Sequence, residues 1–242
     1  MTSLSIIIPA LNEEGYIGET LQKLHAAILT LQSSNLCKVQ VIVVDNQSTD
    51  RTAAIARGLG ATVIPESIRN IARARNTGAR AAEGEVLFFL DADTLVPPLV
   101  LSKVATVMSD PIFVGGAIDV LHRPSSALLR LYLRLWRILG RLTGMAQGAA
   151  QFYRRDAFST IGGYDETMYM GEDVDLYWRM SRAARQKSCK VCYISDIQVV
   201  PSPRRYDRWP LWKTLLWTNP LVATLLCRRK RPWRGWYEDV PR

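Results

Sequence analysis

Through the first ninety residues, apolar positions alternate between two rhythms. Short runs at residues 4–9, 39–44, 61–64 and 86–90 are mostly apolar and rich in β-branched residues, the pattern of buried strands. Between the first two, Ile17, Leu21, Leu24, Ile28 and Leu31 recur at spacings of four, three, four and three, which predicts a helix over residues 12–31. Pro9 ends the first strand and Asp45 closes the second. Ser48 or Asp50 offers a cap for a helix over residues 51–59, which Gly60 stops. Another helix is predicted over residues 70–82, with Gly84 as its stop. Strands and helices alternating at this spacing predict an α/β fold, a mostly parallel sheet with helices on both faces.

Beyond residue 97 the alternation weakens. The pattern predicts a helix over 97–108, a strand over 113–120, a helix over 126–144 and a short strand and turn within 152–161. A helix opens at Gly171 and runs to about residue 184, and residues 191–200 supply one or two strands. In a parallel sheet the carboxyl ends of the early strands share one edge. Pro9, Asp45 and Asp91-Ala92-Asp93 all fall there, where open α/β sheets bind nucleotides.

With 242 residues, 48% of them hydrophobic, the chain can bury one sizeable core. Residues 1–200 read as one domain, divided near residue 97 into a nucleotide-binding half (1–97) and an acceptor half (98–200). The net charge of +9 is uneven: residues 201–242 hold ten Lys or Arg against three acids. They form a basic, Trp-rich appendage suited to anionic partners such as phosphates or lipid head groups. No nucleic-acid-binding motif is visible. Cys189 and Cys192 form a lone C-x-x-C in a strand-like segment, without the further ligands a zinc site needs. The N-terminus enters a strand directly, without a signal-peptide pattern, and no apolar run reaches the roughly 20 residues that span a bilayer. A cytoplasmic location is expected.

Chemistry enters with Asp91-Ala92-Asp93. Carboxylates at a strand end are hard oxygen ligands suited to Mg²⁺ or Mn²⁺, which usually arrive with substrate phosphates. Taken alone, the tripeptide reads first as a solvated turn after a strand. The cluster Glu172-Asp173 likewise reads alone as an acid-rich helix start.

Five segments change that weighing. Residues 6–14 (IIIPALNEE), 43–50 (VVDNQSTD), 74–78 (ARNTG), 84–93 (GEVLFFLDAD) and 171–176 (GEDVDL) resemble, in order, the motifs of the inverting family 2 glycosyltransferases. The resemblance implies a GT-A fold with a Rossmann-like central sheet, and a nucleotide sugar as donor. It implies that Pro9, Leu11 and Glu13 line the base and ribose pocket and that Asp45 accepts from the base, which favours a uridine-linked donor. It gives Asp93 the metal, Asp91 the ribose or a metal-bound water, and Asp173 the part of catalytic base, with Glu172 orienting it or contacting the acceptor. Ala92 falls between the two aspartates on the nucleotide side. Gln147 and Gly148 would lie beside the transferred sugar. One of Arg69, Arg73 and Arg75, with Arg73 favoured, would reach the diphosphate. Arg205, in a segment (202–206) resembling one that closes over the diphosphate, would join it. Two effects oppose one another at Asp173: the helix dipole lowers its pKa and desolvation raises it. The family's polymerases carry Q-x-x-R-W, but here Arg205 stands in place of Gln before Arg208-Trp209. Processive synthesis is not expected.

Two elements point to a membrane surface. In the helix over 126–144, Arg130, Arg134, Arg137 and Arg141 form one stripe, while Leu128, Leu131, Leu135, Trp136, Leu139 and Leu142 fill much of the rest. This suits either an anionic lipid interface or a helix packed on the sheet with arginines in water. The stretch 211–227 is apolar but interrupted by Pro220. Arg228-Arg229-Lys230-Arg231 follows, with Trp233 and Trp236 nearby, as in a peripheral attachment, a dimer interface or a docked helix. The acceptor is then a hydroxyl or phosphate, with a lipid-linked one favoured by these elements. Two other classes compete. A sugar-phosphate nucleotidyltransferase would carry a basic, glycine-rich loop after the first strand, where this chain is acidic. A non-catalytic membrane-binding module would leave the carboxylates unexplained. Oligomeric state stays open.

Overall fold

The computed structural model describes residues 3–34, 37–218 and 226–229. Residues 219–225, together with Lys230, Arg231, Trp233 and Trp236, lie outside the described residues. The first half repeats a strand–helix unit. Strands β1 (Ser3–Ala10), β2 (Lys38–Asp45), β3 (Thr62–Pro65) and β4 (Val86–Leu90) are joined by helices α1 (Ile17–Ser34), α2 (Thr52–Gly58) and α3 (Ile71–Ala81). β1 lies between β2 and β4, and β3 extends β2, all parallel. Their carboxyl ends therefore share one edge, as the alternation requires. The second half contains β5 (Thr94–Leu95), α4 (Val100–Ser109), β6 (Phe113–Val120), α5 (Ala127–Thr143), β7 (Ala150–Arg154) and α6 (Arg155–Thr160). It continues with α7 (Glu172–Gln186), β8 (Lys190–Pro201), α8 (Arg204–Arg208) and α9 (Leu211–Trp217).

The sheet order is β3-β2-β1-β4-β7-β6-β8-β5. β7 runs antiparallel to both β4 and β6, and β5 antiparallel to β8, so the later half makes the sheet mixed. Side chains alternating along β1 and β4 feed two cores. Ile6, Ile8, Phe88 and Leu90 pack with Leu21 and Leu24 of α1 and Val104 of α4. Ile7, Leu87 and Phe89 face Ala72 and Ala74 of α3, Phe158, Tyr164 and Met180. Burying each large apolar side chain contributes roughly 1.5–3 kcal/mol, so burial on two faces fixes the strands that carry the site. Gly78 lets α3 lie close: a Cβ there would collide with Ile7 and press on Val44.

Several predicted boundaries move, each for a local reason. α1 begins at Ile17 because the preceding loop is tied to the β2–α2 connection. Asn12 N–H donates to Ser48 Oγ at 2.9 Å and Glu13 N–H to Thr52 Oγ1 at 2.7 Å. Asn12 itself has φ of 52°. Ser48 is thereby engaged, and Asp50, whose Oδ1 accepts from Thr52 N–H at 2.9 Å, marks the start of α2. Pro9 does not end β1, since it still pairs with Val44. α4 starts after Pro97 and Pro98. Asn70 caps α3 by accepting from Arg73 N–H, and Ser126 and Gly144 (φ 66°) cap the ends of α5. Cys192 lies within β8, where burial pushes its thiol up to about 11.

The arginine stripe of α5 is divided, part tied to the protein and Arg134 exposed. Arg137 and Arg141 bind the buried Asp119 of β6, and Arg130 donates to the carbonyls of Pro124 and Ser125 at 2.8 and 2.5 Å. Leu129 and Leu133 are buried, but Leu128, Leu131 and Leu135 are each more than half exposed. A buried carboxylate on the sheet attracts guanidinium groups more strongly than the sheet attracts every leucine.

Candidate active site

The carboxyl ends of β1, β2 and β4, the start of α3, the residues before α7 and the start of α8 enclose a cavity of about 190 Å³. Of the predicted site residues, Pro9, Leu11, Glu13, Asp91, Ala92, Asp93, Gly148, Glu172, Asp173 and Arg205 line it. Arg73, Asp45 and Gln147 do not.

Arg75 is the hub. Its side chain is 2% exposed, and it joins elements far apart in sequence. Nη1 donates to Glu172 Oε1 at 2.6 Å, and Nη2 donates to Asp91 Oδ1 at 2.8 Å. Its guanidinium lies 5.2 Å from the centre of the Tyr164 ring. Arg73, two residues earlier on α3, faces away from this hub. It pairs with Glu166 at 2.7 Å and Glu66 at 3.6 Å. The diphosphate assignment favouring Arg73 therefore does not match the geometry, because two residues of helix turn a side chain by about half a revolution.

The turn after β4 is built by backbone bonds. Asp91 N–H donates to Ala149 O at 3.1 Å, and Ala92 O accepts from Thr20 Oγ1 at 2.9 Å. Asp93 O accepts from Ser202 N–H at 2.9 Å, which brings the start of the basic C-terminal segment into the site. Arg204, 3% exposed at its side chain, pairs with Glu13 at 2.5 Å and Asp93 at 3.1 Å. It stacks over Tyr16 at 4.4 Å. Arg204 and Arg205 are thus part of the cavity wall.

Asp173 sits in the first turn of α7. Its Oδ2 accepts the Gly148 N–H at 2.5 Å. A Cβ at position 148 would lie 2.6 Å from that of Asp173, so only glycine permits this approach. Gln147, next to it, turns outward to His122 at 2.9 Å. Asp45 accepts from Ser48 N–H at 2.9 Å, a turn bond made outside the cavity lining. The adjacent Asn46 takes its place on the cavity wall. Asn46 is buried, donates to Glu66 O and Ile68 O, and accepts from Asn70 N–H.

The electrostatics are those of crowded acids. Burial pushes the carboxyls of Glu13 and Asp93 above their ordinary values, and Arg204 opposes it in both. Burial also raises Glu172 and Asp173, with Glu172 lifted further by the Asp173 charge and Arg75 pulling both down. Of the two opposing effects at Asp173, desolvation prevails. Several donors and acceptors here are buried without a hydrogen-bond partner: Arg75 Nε, Arg204 Nε and Nη1, and Glu13 Oε2. Leaving such atoms unmade costs roughly 1–3 kcal/mol each, so the cavity is suited to a polar ligand that would engage them.

A divalent cation fits this donor set in one way. Among the described residues no three His, Cys, Asp or Glu side chains form a cage. Asp91 and Asp93 supply the one or two carboxylates with which Mg²⁺ is usually held alongside substrate phosphates. Arg204, whose Nε and Nη1 lack partners, lies beside Asp93.

Sequence comparison matches residues 5–162 to the family described as glycosyl transferase family 2. The chain is 28% identical over 184 residues to glycosyltransferase AglE of Haloferax volcanii, covering 71% of this chain and 59% of the relative. It is also 28% identical to the beta-monoglucosyldiacylglycerol synthase of Synechocystis sp., over 72% of this chain and 39% of that one. The chain thus spans about half the length of these curated relatives. In fold it resembles the mannosyltransferase PcManGT from Pyrobaculum calidifontis, solved in complex with GDP-Man and Mn²⁺. The TM-score is 0.63 at 23% identity, over 81% of this chain and 56% of the other.

Proposed function

The chain belongs to glycosyl transferase family 2, and from that premise we propose that it transfers a sugar from a nucleoside-diphosphate sugar to an acceptor hydroxyl or phosphate, with inversion at the anomeric carbon. The observation that carries this reading is the convergence, at one sheet edge, of Asp91 and Asp93 with Glu172 and Asp173 around the buried Arg75. Pro9 and Leu11 wall the base and ribose end of the cavity, with Asn46 beside them.

Asp173 is the base. Gly148 N–H holds one carboxylate oxygen, and the other receives the acceptor's proton. Burial raises its pKa, which strengthens it as a base and brings its working range toward neutral pH. Arg75 fixes the neighbouring Glu172 and so orients the start of α7. As the acceptor oxygen bonds to the anomeric carbon, the bond from that carbon to the diphosphate breaks and its electron pair leaves with the nucleotide. Arg204 and Arg205, both on the cavity wall, take up the charge developing on that leaving group. Asp93, with Asp91, would hold Mg²⁺ or Mn²⁺, which when bound supplies Lewis-acid stabilisation of the diphosphate. No covalent intermediate is needed.

The acceptor in this reading is lipid-linked and met at the cytoplasmic surface of a membrane. Among the described residues no helix is long and apolar enough to cross one. Exposed apolar side chains on α5 and on α9, including Leu211, Trp212 and Leu216, support contact with a membrane surface. That a relative carries the name of a diacylglycerol-lipid synthase agrees with this acceptor class.

Asp173→Asn tests the reading. Donor cleavage, followed as nucleoside diphosphate released, should fall by at least about a thousandfold. Stabilisation of the protein by the nucleotide with Mn²⁺, seen in thermal melts, should persist. Equal cleavage by variant and wild type would remove Asp173 from its role.

A further inference from the structure

A second cavity, of about 520 Å³, lies between the end of β6 and α5. His122, Arg123, Arg130, Arg134 and Arg137 line it, with Leu131 and Leu133, and no carboxylate is among its lining residues. Asp119 lies beneath it, but its oxygens already accept from Arg137, Arg141, Tyr193 and Gln198. The positive charge of Arg123 and Arg134 is therefore not neutralised locally: both are exposed, and neither joins an ion pair among the described residues. A concave surface lined by one sign of charge concentrates ions of the other sign.

The rim of this groove is apolar. Leu128, Leu131 and Leu135 stand more than half exposed along the same helix, followed by Ile138 and Leu139. α9 continues the face, joined to α5 where Tyr132 Oη meets Thr218 Oγ1 at 2.6 Å. A basic groove edged by leucines matches an amphiphile, a phosphate joined to an acyl or prenyl chain. It does not match a nucleic acid, whose bases would call for aromatic or polar rims. The inner end of the groove also touches the catalytic side. His122 meets Gln147 at 2.9 Å, and Gln147 is the neighbour of Gly148, which holds Asp173.

We propose that this groove binds the phosphate headgroup of an anionic membrane lipid, while the exposed leucines of α5 enter the apolar layer. The inference rests on the membrane-facing part of the function proposed above and names its partner; it does not depend on the donor chemistry. Bound in this way, α5 would set the cavity's acceptor side at the lipid surface.

The test uses the full chain and vesicles of phosphatidylcholine with or without phosphatidic acid. Wild type should bind the phosphatidic acid vesicles about tenfold more tightly than the neutral ones, since basic residues near an anionic surface contribute additively. Arg123→Gln with Arg134→Gln should lose that preference while keeping the thermal shift with nucleotide and Mn²⁺. An unchanged preference in the double variant would place lipid binding elsewhere and overturn the groove assignment. Glycerol phosphate in solution should not displace the vesicles; displacement would make a soluble phosphate the ligand and overturn the lipid source. Hydrogen exchange on the wild type gives an answer without any substitution. Residues 121–137 should gain protection only when phosphatidic acid vesicles are added. No gain in protection with phosphatidic acid vesicles, or the same gain with neutral ones, would show that this face does not meet the anionic lipid, and the proposal would fail. Absence of vesicle binding alongside a normal nucleotide shift would sink the lipid proposal and leave the donor reading standing.

Discussion

Two clusters in this molecule gather acids and arginines, and they behave in opposite ways. On β6, the fully buried Asp119 faces two arginines, a tyrosine and a glutamine. Burial pushes its carboxyl up, but hydrogen bonds from Arg137, Tyr193 and Gln198 outweigh that and hold it below its ordinary value. At the strand ends, Glu13, Asp91, Asp93, Glu172 and Asp173 share two buried arginines, Arg75 and Arg204. Four of these carboxyls are raised, and four polar atoms of Arg75, Arg204 and Glu13 are left without partners. The first cluster is saturated and holds α5 on the sheet. The second has more acid than its cations can satisfy, as a site awaiting a charged ligand should. Buried charge alone does not mark a function; what marks it is incompleteness.

The sharpest way to break this contrast is to empty the saturated cluster. Asp119→Ala leaves Arg137 and Arg141 without their shared partner. Breaking a buried pair costs about 3–5 kcal/mol, and the partial exposure of both arginines places this case near 3. For a domain of this size that lowers the melting temperature by roughly 10 °C. Nucleotide affinity of the folded protein should hold. A melting temperature close to wild type would show that Asp119 does not anchor α5.

Arg204→Gln acts on the other cluster and should differ from Asp119→Ala in its effect on the ligand. Loss of a charged donor to the diphosphate should weaken nucleotide binding about tenfold, read by calorimetry. The melting temperature should fall as well, since Glu13 and Asp93 lose their shared partner, so the affinity is read on the folded protein. Full affinity in this variant would exclude Arg204 from the ligand.

The two clusters should also part company with pH. Carboxyls raised in the fold bind protons more readily there than in the unfolded chain. Their contribution to stability therefore grows as pH falls through their folded-state values. Asp119 is lowered, so its contribution is complete above the ordinary aspartate value and is lost only as pH drops through its folded value. Ligand-free melts should thus rise modestly from alkaline to mildly acidic pH before acid unfolding begins, and Asp93→Asn should flatten that rise. A wild-type rise unaltered by Asp93→Asn would assign it to other groups.

The smallest effect is expected from Arg73→Gln. Arg73 spends its charge on Glu166 and Glu66, outside the cavity. Nucleotide affinity should change by less than about twofold, since partly exposed ion pairs contribute little. A tenfold loss would return Arg73 to the donor site.

Much of this was readable in the chain because local signals agreed. β4 and β6 match the strands predicted over 86–90 and 113–120, and Ser126 and Gly144 bracket α5 as caps should. The acids at the strand ends follow from chain direction in a parallel sheet. What the sequence concealed depends on long-range partners. Nothing in residues 12–16 announces that their backbone is held by Ser48 and Thr52. The arginine stripe of α5 reads as one solvent or lipid face, but Asp119, inside an otherwise apolar strand, draws Arg137 and Arg141 to the sheet and leaves Arg134 exposed. Arg75 and Arg73 are indistinguishable by spacing alone, since only packing of α3 on β1 decides which one enters the core. Asn46 could have been noticed, because it follows the aspartate that ends β2.

The central claim is that the unsaturated cluster is a donor site, and calorimetric titration of nucleotide sugars tests it most directly. With Mn²⁺ present, at least one nucleoside-diphosphate sugar should bind the wild-type protein. That binding should vanish on chelation of the metal and in Asp93→Asn, whose melt stays cooperative. Equal binding in Asp93→Asn with and without Mn²⁺, or no binding of any nucleotide sugar by the folded protein, would contradict the account.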